Sequence, residues 1–254
     1  MAYQIAPASL GQTPRRRHPV FGPGRFRVGD AVMVALYLLL MVAGGASLIM
    51  ALPGFAGAFR NEEAALFAVN LIAYMVLFTG AMIMAFKTLK NSARTFRYNP
   101  WAKWFLVPGT WFGSLMVTAI LLTLMGQAVK SENQLAIEGM TREIPFTTMF
   151  FVAVVMGPLV EEYIFRHLLI GKLSRKLNVW VCVVISIILF AGIHFVGSGS
   201  FEITSAIPYV TLGAVISVAY VLSGRSMAYS YVLHFFNNAV ALSVSYTLLP
   251  LLQS

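Results

Sequence analysis

Residues 145–170 read P-F-T-T-M-F-F-V-A-V-V-M-G-P-L-V-E-E-Y-I-F-R-H-L-L-I. The run is long enough to cross a bilayer core about 30 Å thick, which needs roughly 20 helical residues. It also carries Glu161, Glu162 and Arg166, and each such charge at a helix centre costs about 2.5–3.5 kcal/mol on insertion scales. An apolar span that tolerates three charges has them turned away from lipid, toward other helices. Glu162 and Arg166 stand four residues apart on one helix face and can pair. Glu161 lies about 100° around the helix, less compensated, the setting in which a carboxyl is tuned toward general acid–base work. Pro158 cannot donate to Val154 and is expected to kink the helix, opening a pocket beside the acids. The bland reading is a structural ion-pair network. His167, near the end of the span, reads as an interfacial side chain.

Outward from this run the chain keeps the same character. Of 254 residues, 59% are hydrophobic and 11% charged, and the mean hydropathy is +0.79. An ordinary soluble domain has about 25% charged residues, so a soluble enzyme, a disordered chain and a disulfide scaffold are all excluded. Cys182 is the single cysteine, which leaves no intrachain disulfide and no thiolate metal cluster. Apolar stretches cover 31–52, 64–86, 104–129, 145–170, 179–195, 204–222 and 227–249. The fold class is therefore all-α, a polytopic membrane helix bundle of about seven spans. Gly109 and Gly113 form a small-xxx-small pair suited to close helix packing.

The net charge of +9 first suggests a nucleic-acid partner. Its distribution argues otherwise. Arg15, Arg16, Arg17, Arg25 and Arg27 precede the first span; Lys87, Lys90, Arg94, Arg97 and Lys103 separate the second and third; Lys172, Arg175, Lys176 and Arg225 fall in later connections on the same side. Those are 14 of the 18 basic residues. The other side carries Arg60, Lys130 and Arg142 among six glutamates. This asymmetry predicts a cytoplasmic amino terminus and partnership with membrane lipid, and no nucleic acid. Trp101, Trp104 and Trp180 fall near the same interface. Residues 1–30, rich in Pro, Gly and Arg, read as a disordered basic cytoplasmic tail, followed by one transmembrane domain over 31–254. The 22-residue run after the tail is too long for a signal-peptide core of roughly 7–15, so it reads as an uncleaved anchor.

Two further spans carry polar groups. F-A-G-I-H at 190–194 ends on His194, and H-F-F-N-N at 234–238 places His234 and Asn238 on one helix face. Carboxylates, imidazoles and an amide from three spans supply a base, an orienting partner and an oxyanion donor, and they also match the ligand types of a divalent metal. Rise counting puts Glu161, His234 and Asn238 about 14–20 Å from the basic end of the bundle and His194 about 27 Å. The fifth helix is thus expected to start outside the core or to tilt.

The ordered set E-E-x-x-x-R, F-x-x-x-H and H-x-x-x-N, on separate spans, resembles the CAAX-processing and bacteriocin-processing (CPBP or Abi) intramembrane protease family, with the matching core in 145–250. The resemblance implies an endopeptidase acting on a peptide or membrane-anchored protein substrate, CAAX-like or otherwise, in a prokaryotic plasma membrane. Glu161 would activate water with His194 assisting, and His234 and Asn238 would hold the oxyanion. Glu162 and Arg166 would support the first motif. The family is commonly called metalloprotease, which makes Glu161, His194 and His234 possible ligands of a divalent metal such as zinc. The same groups also suit a mechanism with no ion, and H-E-x-x-H is absent. Two rivals stand on the residues alone: a proton- or ion-coupled transporter using the acids and histidines as a relay, and a non-catalytic membrane scaffold. Against the transporter, the two halves of the chain show no paired broken helices.

Overall fold

The computed structural model describes residues 19–126, 130–199, 201–248 and 251. Among these the chain is helical throughout, with no strand. Each of the seven apolar stretches forms a helix: α1 Val28–Val42, α2 Glu62–Ser92, α3 Pro100–Met125, α5 Phe146–Arg175, α6 Val179–Ile193, α7 Ile203–Leu222 and α8 Met227–Thr247. An additional helix, α4 Glu132–Glu143, fills what the sequence reading left as a connection. Arg15, Arg16, Arg17 and the outer ends of the third and seventh stretches, 127–129 and 249, lie outside the described residues.

Among the described residues, four helices are long and apolar enough to cross a membrane: α2 with the turn after it, α3, α5 and α7. The first stretch makes a fifth only if a bent pair is counted as one span. It was expected as one continuous run over 31–52. Instead it breaks after Val42, where Gly44 takes a left-handed conformation at φ 71°, and a 3-10 segment Gly45–Ala51 leaves at 52° to α1. Two adjacent glycines weaken a helix and permit that conformation. The fifth stretch gives α6 only 15 residues, about 22 Å of rise. α8 has the length, but its histidine, asparagines and serines keep its hydropathy down.

Helix ends follow local capping rules. Asn61, Ser131, Asn178 and Ser226 each accept a main-chain N–H from the first turn of the helix they start. α3 ends on Gly126 at φ 77°.

α5 is the axis of the bundle. Two thirds of its most apolar stretch (67%) is buried, against 11% for α3 at the periphery. It packs on α2, α6 and α8, while α3 rests on α7 and α8. The helix with the charges is thus the helix farthest from lipid, as the insertion cost demands. Because lipid tails are as apolar as leucine, helix association in a membrane rests on close packing. α2 supplies it with Ala65, Ala73, Ala81 and Ala85, all buried. α1 and α2 interlock through glycines: a Cβ on Gly29 would meet the Met84 side chain, and one on Gly80 would meet Met33. Gly109 and Gly113 do not play this part. A Cβ at either would meet nothing within 4 Å, because α3 turns that face away from its neighbours.

The basic end of the bundle is closed. Asp30, fully buried, receives Lys172 Nζ at 2.6 Å, Tyr163 Oη at 2.6 Å and the Arg27 main-chain N–H at 2.7 Å. His167 is also buried, stacked on Tyr163, and does not reach an interface. Of the tail expected over 1–30, residues 1–18 lie outside the described residues and Val28 to Asp30 already belong to α1. Residues 19–27 form a strap across the helix ends: the Phe21 N–H donates to Gly224 O at 2.7 Å, and Arg175 donates to Gly24 O at 3.3 Å. Gly224, at φ 75°, lies so close beneath Pro19 that a Cβ would overlap the Pro19 carbonyl.

Two outcomes follow for stability in detergent. Gly224→Ala combines a left-handed backbone with a clash against main chain, and should destabilise by about 1–3 kcal/mol, with residues 19–27 becoming protease-sensitive; an unchanged melting temperature would remove the strap's structural role. Lys172→Ala leaves Asp30 buried without its cation and should cost about 3–5 kcal/mol, whereas Asp30→Asn with Lys172→Met costs less than the single change. Thermal unfolding of the three variants checks the ordering.

Candidate active site

α5 is not wound uniformly. Residues Phe150–Met156 and Glu162–Lys172 are π-helical, separated by the α-helical turn Gly157–Glu161. π-wound turns inside a helix often mark functional sites, and here their cause is local. In the first segment the Gly157 N–H reaches back five residues to Val152 O. The next bond in that register would run from residue 158 to Ala153 O, but Pro158 has no N–H. α8 makes up the loss. Asn238 Nδ2 donates to Ala153 O at 2.9 Å, and Tyr231 Oη donates to Val155 O at 3.3 Å. On the other flank Ser186 Oγ of α6 donates to Phe165 O at 2.8 Å. The loosened winding thus binds α5 to α6 and α8 at the level of the acids.

There the side chains interlock. Glu162, with no exposure, pairs with Arg166 Nη1 at 3.1 Å, the ion pair expected from the spacing. The same oxygen of Glu162 accepts from His234 Nδ1 at 3.0 Å. Arg166 is also fully buried, lies over the Phe190 ring at 4.3 Å and donates to Gly213 O at 3.4 Å. Glu161, the adjacent carboxylate, stands 3.6 Å from His234 Nε2. One imidazole is therefore clamped between two carboxylates. The sequence reading had assigned His234 to the oxyanion and did not anticipate this clamp.

Hydrogen-bond chemistry settles the tautomers. A carbonyl only accepts, so His194 Nδ1, 2.8 Å from Phe190 O, carries its proton and Nε2 is the free acceptor. A carboxylate likewise accepts, so His234 Nδ1 is protonated toward Glu162 and Nε2 is left facing Glu161.

His194 caps the end of α6, one turn beyond Phe190. The Phe190 ring touches both imidazoles, with centroids 5.1 Å from His194 and 5.6 Å from His234. That ring bridges the end of α6 to α8. Glu161, His194, His234 and Asn238 all line one cavity of about 600 Å³, a size ordinary for ligand pockets. It runs from the acids toward the end of the bundle opposite Lys172 and the strap. There α4 roofs it with Asn133, Gln134 and Ile137.

Residues missed by sequence reasoning complete the walls. Tyr37 of α1 and Tyr74 of α2 line the cavity with Glu161. Tyr209 of α7 stacks on His194 at 4.1 Å and 25°. The signal for α4 was present as Ser131-Glu132-Asn133-Gln134, a serine with glutamine three residues on, which is a helix-start pattern. α4 is fastened at its far end by Glu143, which accepts from Arg60 and Asn61, each at 2.8 Å. These two donors hold the Glu143 carboxyl below its ordinary range.

The donor set does not fit a shared metal ion. Among the described residues no three His, Cys, Asp or Glu side chains are placed to hold one. His194 and His234 each commit Nδ1 to a neighbour and keep one Nε2 apiece, and with Glu161 these are not placed as one three-ligand set.

This is a polytopic helical protein with a carboxylate–imidazole site buried between its spans. Residues 143–240 match the family model described as Rce1-like, type II CAAX prenyl endopeptidase, which bears out the resemblance read from the three motifs. The chain is 25% identical over 187 residues to an uncharacterized protein of Mycoplasma capricolum subsp. capricolum, covering 68% of this chain and 54% of that one. It is 25% identical over 183 residues to the membrane-embedded CAAX protease MroQ of Staphylococcus aureus, covering 67% and 70%. The chain thus spans about half the length of the first of these relatives. No solved structure matches it. With its long apolar helices, the chain is an integral membrane protein.

The Pro158–Ala153–Asn238 arrangement makes a double-mutant cycle informative. Asn238→Ala leaves Ala153 O without a partner and should cost about 1–3 kcal/mol. In a Pro158→Ala background, where residue 158 regains its N–H, the same change should cost clearly less. Equal costs in both backgrounds would show that Asn238 does not serve the missing bond.

Proposed function

We propose that the protein is an intramembrane endopeptidase of a prokaryotic plasma membrane that hydrolyses peptide bonds of membrane-associated or CAAX-like substrates through a glutamate-activated water. The observation that carries the reading is the clamp of His234 between Glu161 and Glu162 at the wall of a cavity also lined by His194 and Asn238. In this reading the catalytic core is 145–250, within a helical domain whose first helix starts at Val28 rather than at residue 31.

In this reading Glu161 accepts a proton from a water that His194 Nε2 orients. The water oxygen forms its bond to the peptide carbonyl carbon as that proton leaves. The oxyanion is met by the second N–H of Asn238, whose first is held by Ala153 O. The proton passes from Glu161 to His234 Nε2, and the resulting imidazolium is stabilised by Glu162, itself held by Arg166. It donates toward the oxyanion and then to the amine nitrogen as the C–N bond breaks. Glu162 here orients a histidine as the aspartate of a serine-protease triad does. Donors fixed in a water-poor cavity act strongly because they need no reorganisation when charge develops.

The test is cleavage of a membrane-anchored reporter by purified protein in proteoliposomes. Glu161→Gln should lower kcat by about 10³-fold or more with the thermal transition kept, and His194→Ala should lower it by about 10²-fold. Arg166→Met should instead lose the fold, because it strands buried Glu162. Cleavage indifferent to the changes at Glu161 and His194 would overturn the reading, as would ion-dependent uptake with no peptide product.

A further inference from the structure

His194 is the site residue with the weakest local support. It sits at the fraying end of α6, half-buried, with one hydrogen bond, to the carbonyl one turn back. Beyond the Phe190 edge at 5.1 Å, the ring rests on the face of Tyr209, stacked at 4.1 Å and 25° from the next helix, α7. Phe195 packs its edge on the same tyrosine at 5.8 Å. The Tyr209 hydroxyl continues outward. It lies 2.8 Å from Ser131 Oγ and accepts from Asn133 Nδ2 at 3.3 Å. Ser131 is the residue that caps α4, accepting the Gln134 N–H at 3.1 Å. One side chain therefore touches the proposed water-orienting histidine with its face and the start of the cavity roof with its hydroxyl.

We propose that Tyr209 is a positioning residue: it holds His194 in its working rotamer and ties that rotamer to the seated position of α4. The inference rests on the peptidase reading for its kinetic consequence and on contacts alone for its structural one. A substrate that lifts the start of α4 to enter the cavity breaks the Ser131–Tyr209 contact, and reseating of α4 restores the tyrosine behind His194. No other side chain makes a polar contact with both Ser131 and Asn133 among the hydrogen bonds of the described residues.

Three variants separate ring from hydroxyl. Tyr209→Ala removes both and should lower kcat at least 10-fold. Tyr209→Phe keeps the stacking face and should recover at least a third of the parent kcat while KM shifts 3-fold or more. Ser131→Ala should reproduce the KM shift of Tyr209→Phe, and the two changes combined should shift KM no further. Equal kcat in the Ala and Phe variants, or additive KM shifts, would overturn the proposal. A readout independent of activity uses Ile137→Cys on the underside of α4 with Cys182→Ser, and follows maleimide labelling in proteoliposomes. Tyr209→Phe should speed labelling at least 3-fold. An unchanged rate would overturn the latch even in a protein that cleaves the reporter. Accelerated labelling in a protein that cleaves nothing would keep the latch and reject the peptidase reading.

Discussion

The pairing of Glu162 with Arg166 inside α5 governs the rest of the structure. Two full charges with no exposure are tolerable only where they face each other and lipid is distant. That requirement makes α5 the axis, surrounds it with α2, α6 and α8, and brings Phe190 under the guanidinium. It also explains the order of burial, in which the most polar span is the most enclosed and the thoroughly apolar α3 lies outermost. Once Glu162 is held in this way, its remaining reach is toward α8, and His234 is fixed by it. Glu161, one residue earlier, is carried to the other nitrogen of the same ring.

A second constraint acts on the backbone. Pro158 removes one donor from the middle of a buried helix, and the widened turns around it leave carbonyls that α-helical winding would have used. Side chains of α6 and α8 occupy them. The site is therefore framed by main chain that depends on its neighbours, so that Asn238 and Tyr231 are ties between helices as much as walls of a cavity. Within a membrane, where such ties have no water to compete with, they set the spacing between spans more firmly than apolar contact does.

Much of this was legible in the sequence. Six of the seven apolar stretches emerged as single helices among the described residues, and the i,i+4 spacing of Glu162 and Arg166 gave their pair directly. Pro158 marked the distortion, although its consequence was looser winding held by α8, not a simple kink. Motif order singled out Glu161, His194, His234 and Asn238, and all four line one cavity. Other features were out of reach because they depend on which helices become neighbours. Nothing in the spacing of 161, 162 and 234 says that one imidazole will face both acids. Tyr209 sits in an apolar span with no pattern around it, and its value comes from a contact with a helix 15 residues upstream and a connection some 78 residues upstream. The first stretch failed for a local reason, the Gly44-Gly45 pair, which length and hydropathy do not register.

The strap over the basic end imposes an order on assembly. Phe21 hydrogen-bonds to Gly224, so a contact made by the first described residues closes only after the turn between α7 and α8 has been synthesised. α1 is made before the helices it meets, but Asp30 waits for Tyr163 and Lys172, and residues 19–27 wait for the turn between α7 and α8. Until then α1 holds to the bundle mainly through its glycine-mediated fit against α2. Contacts so distant along the chain close late and slowly, and here they seal the basic end of the bundle. The segment that precedes the first described helix is thus among the last to be seated.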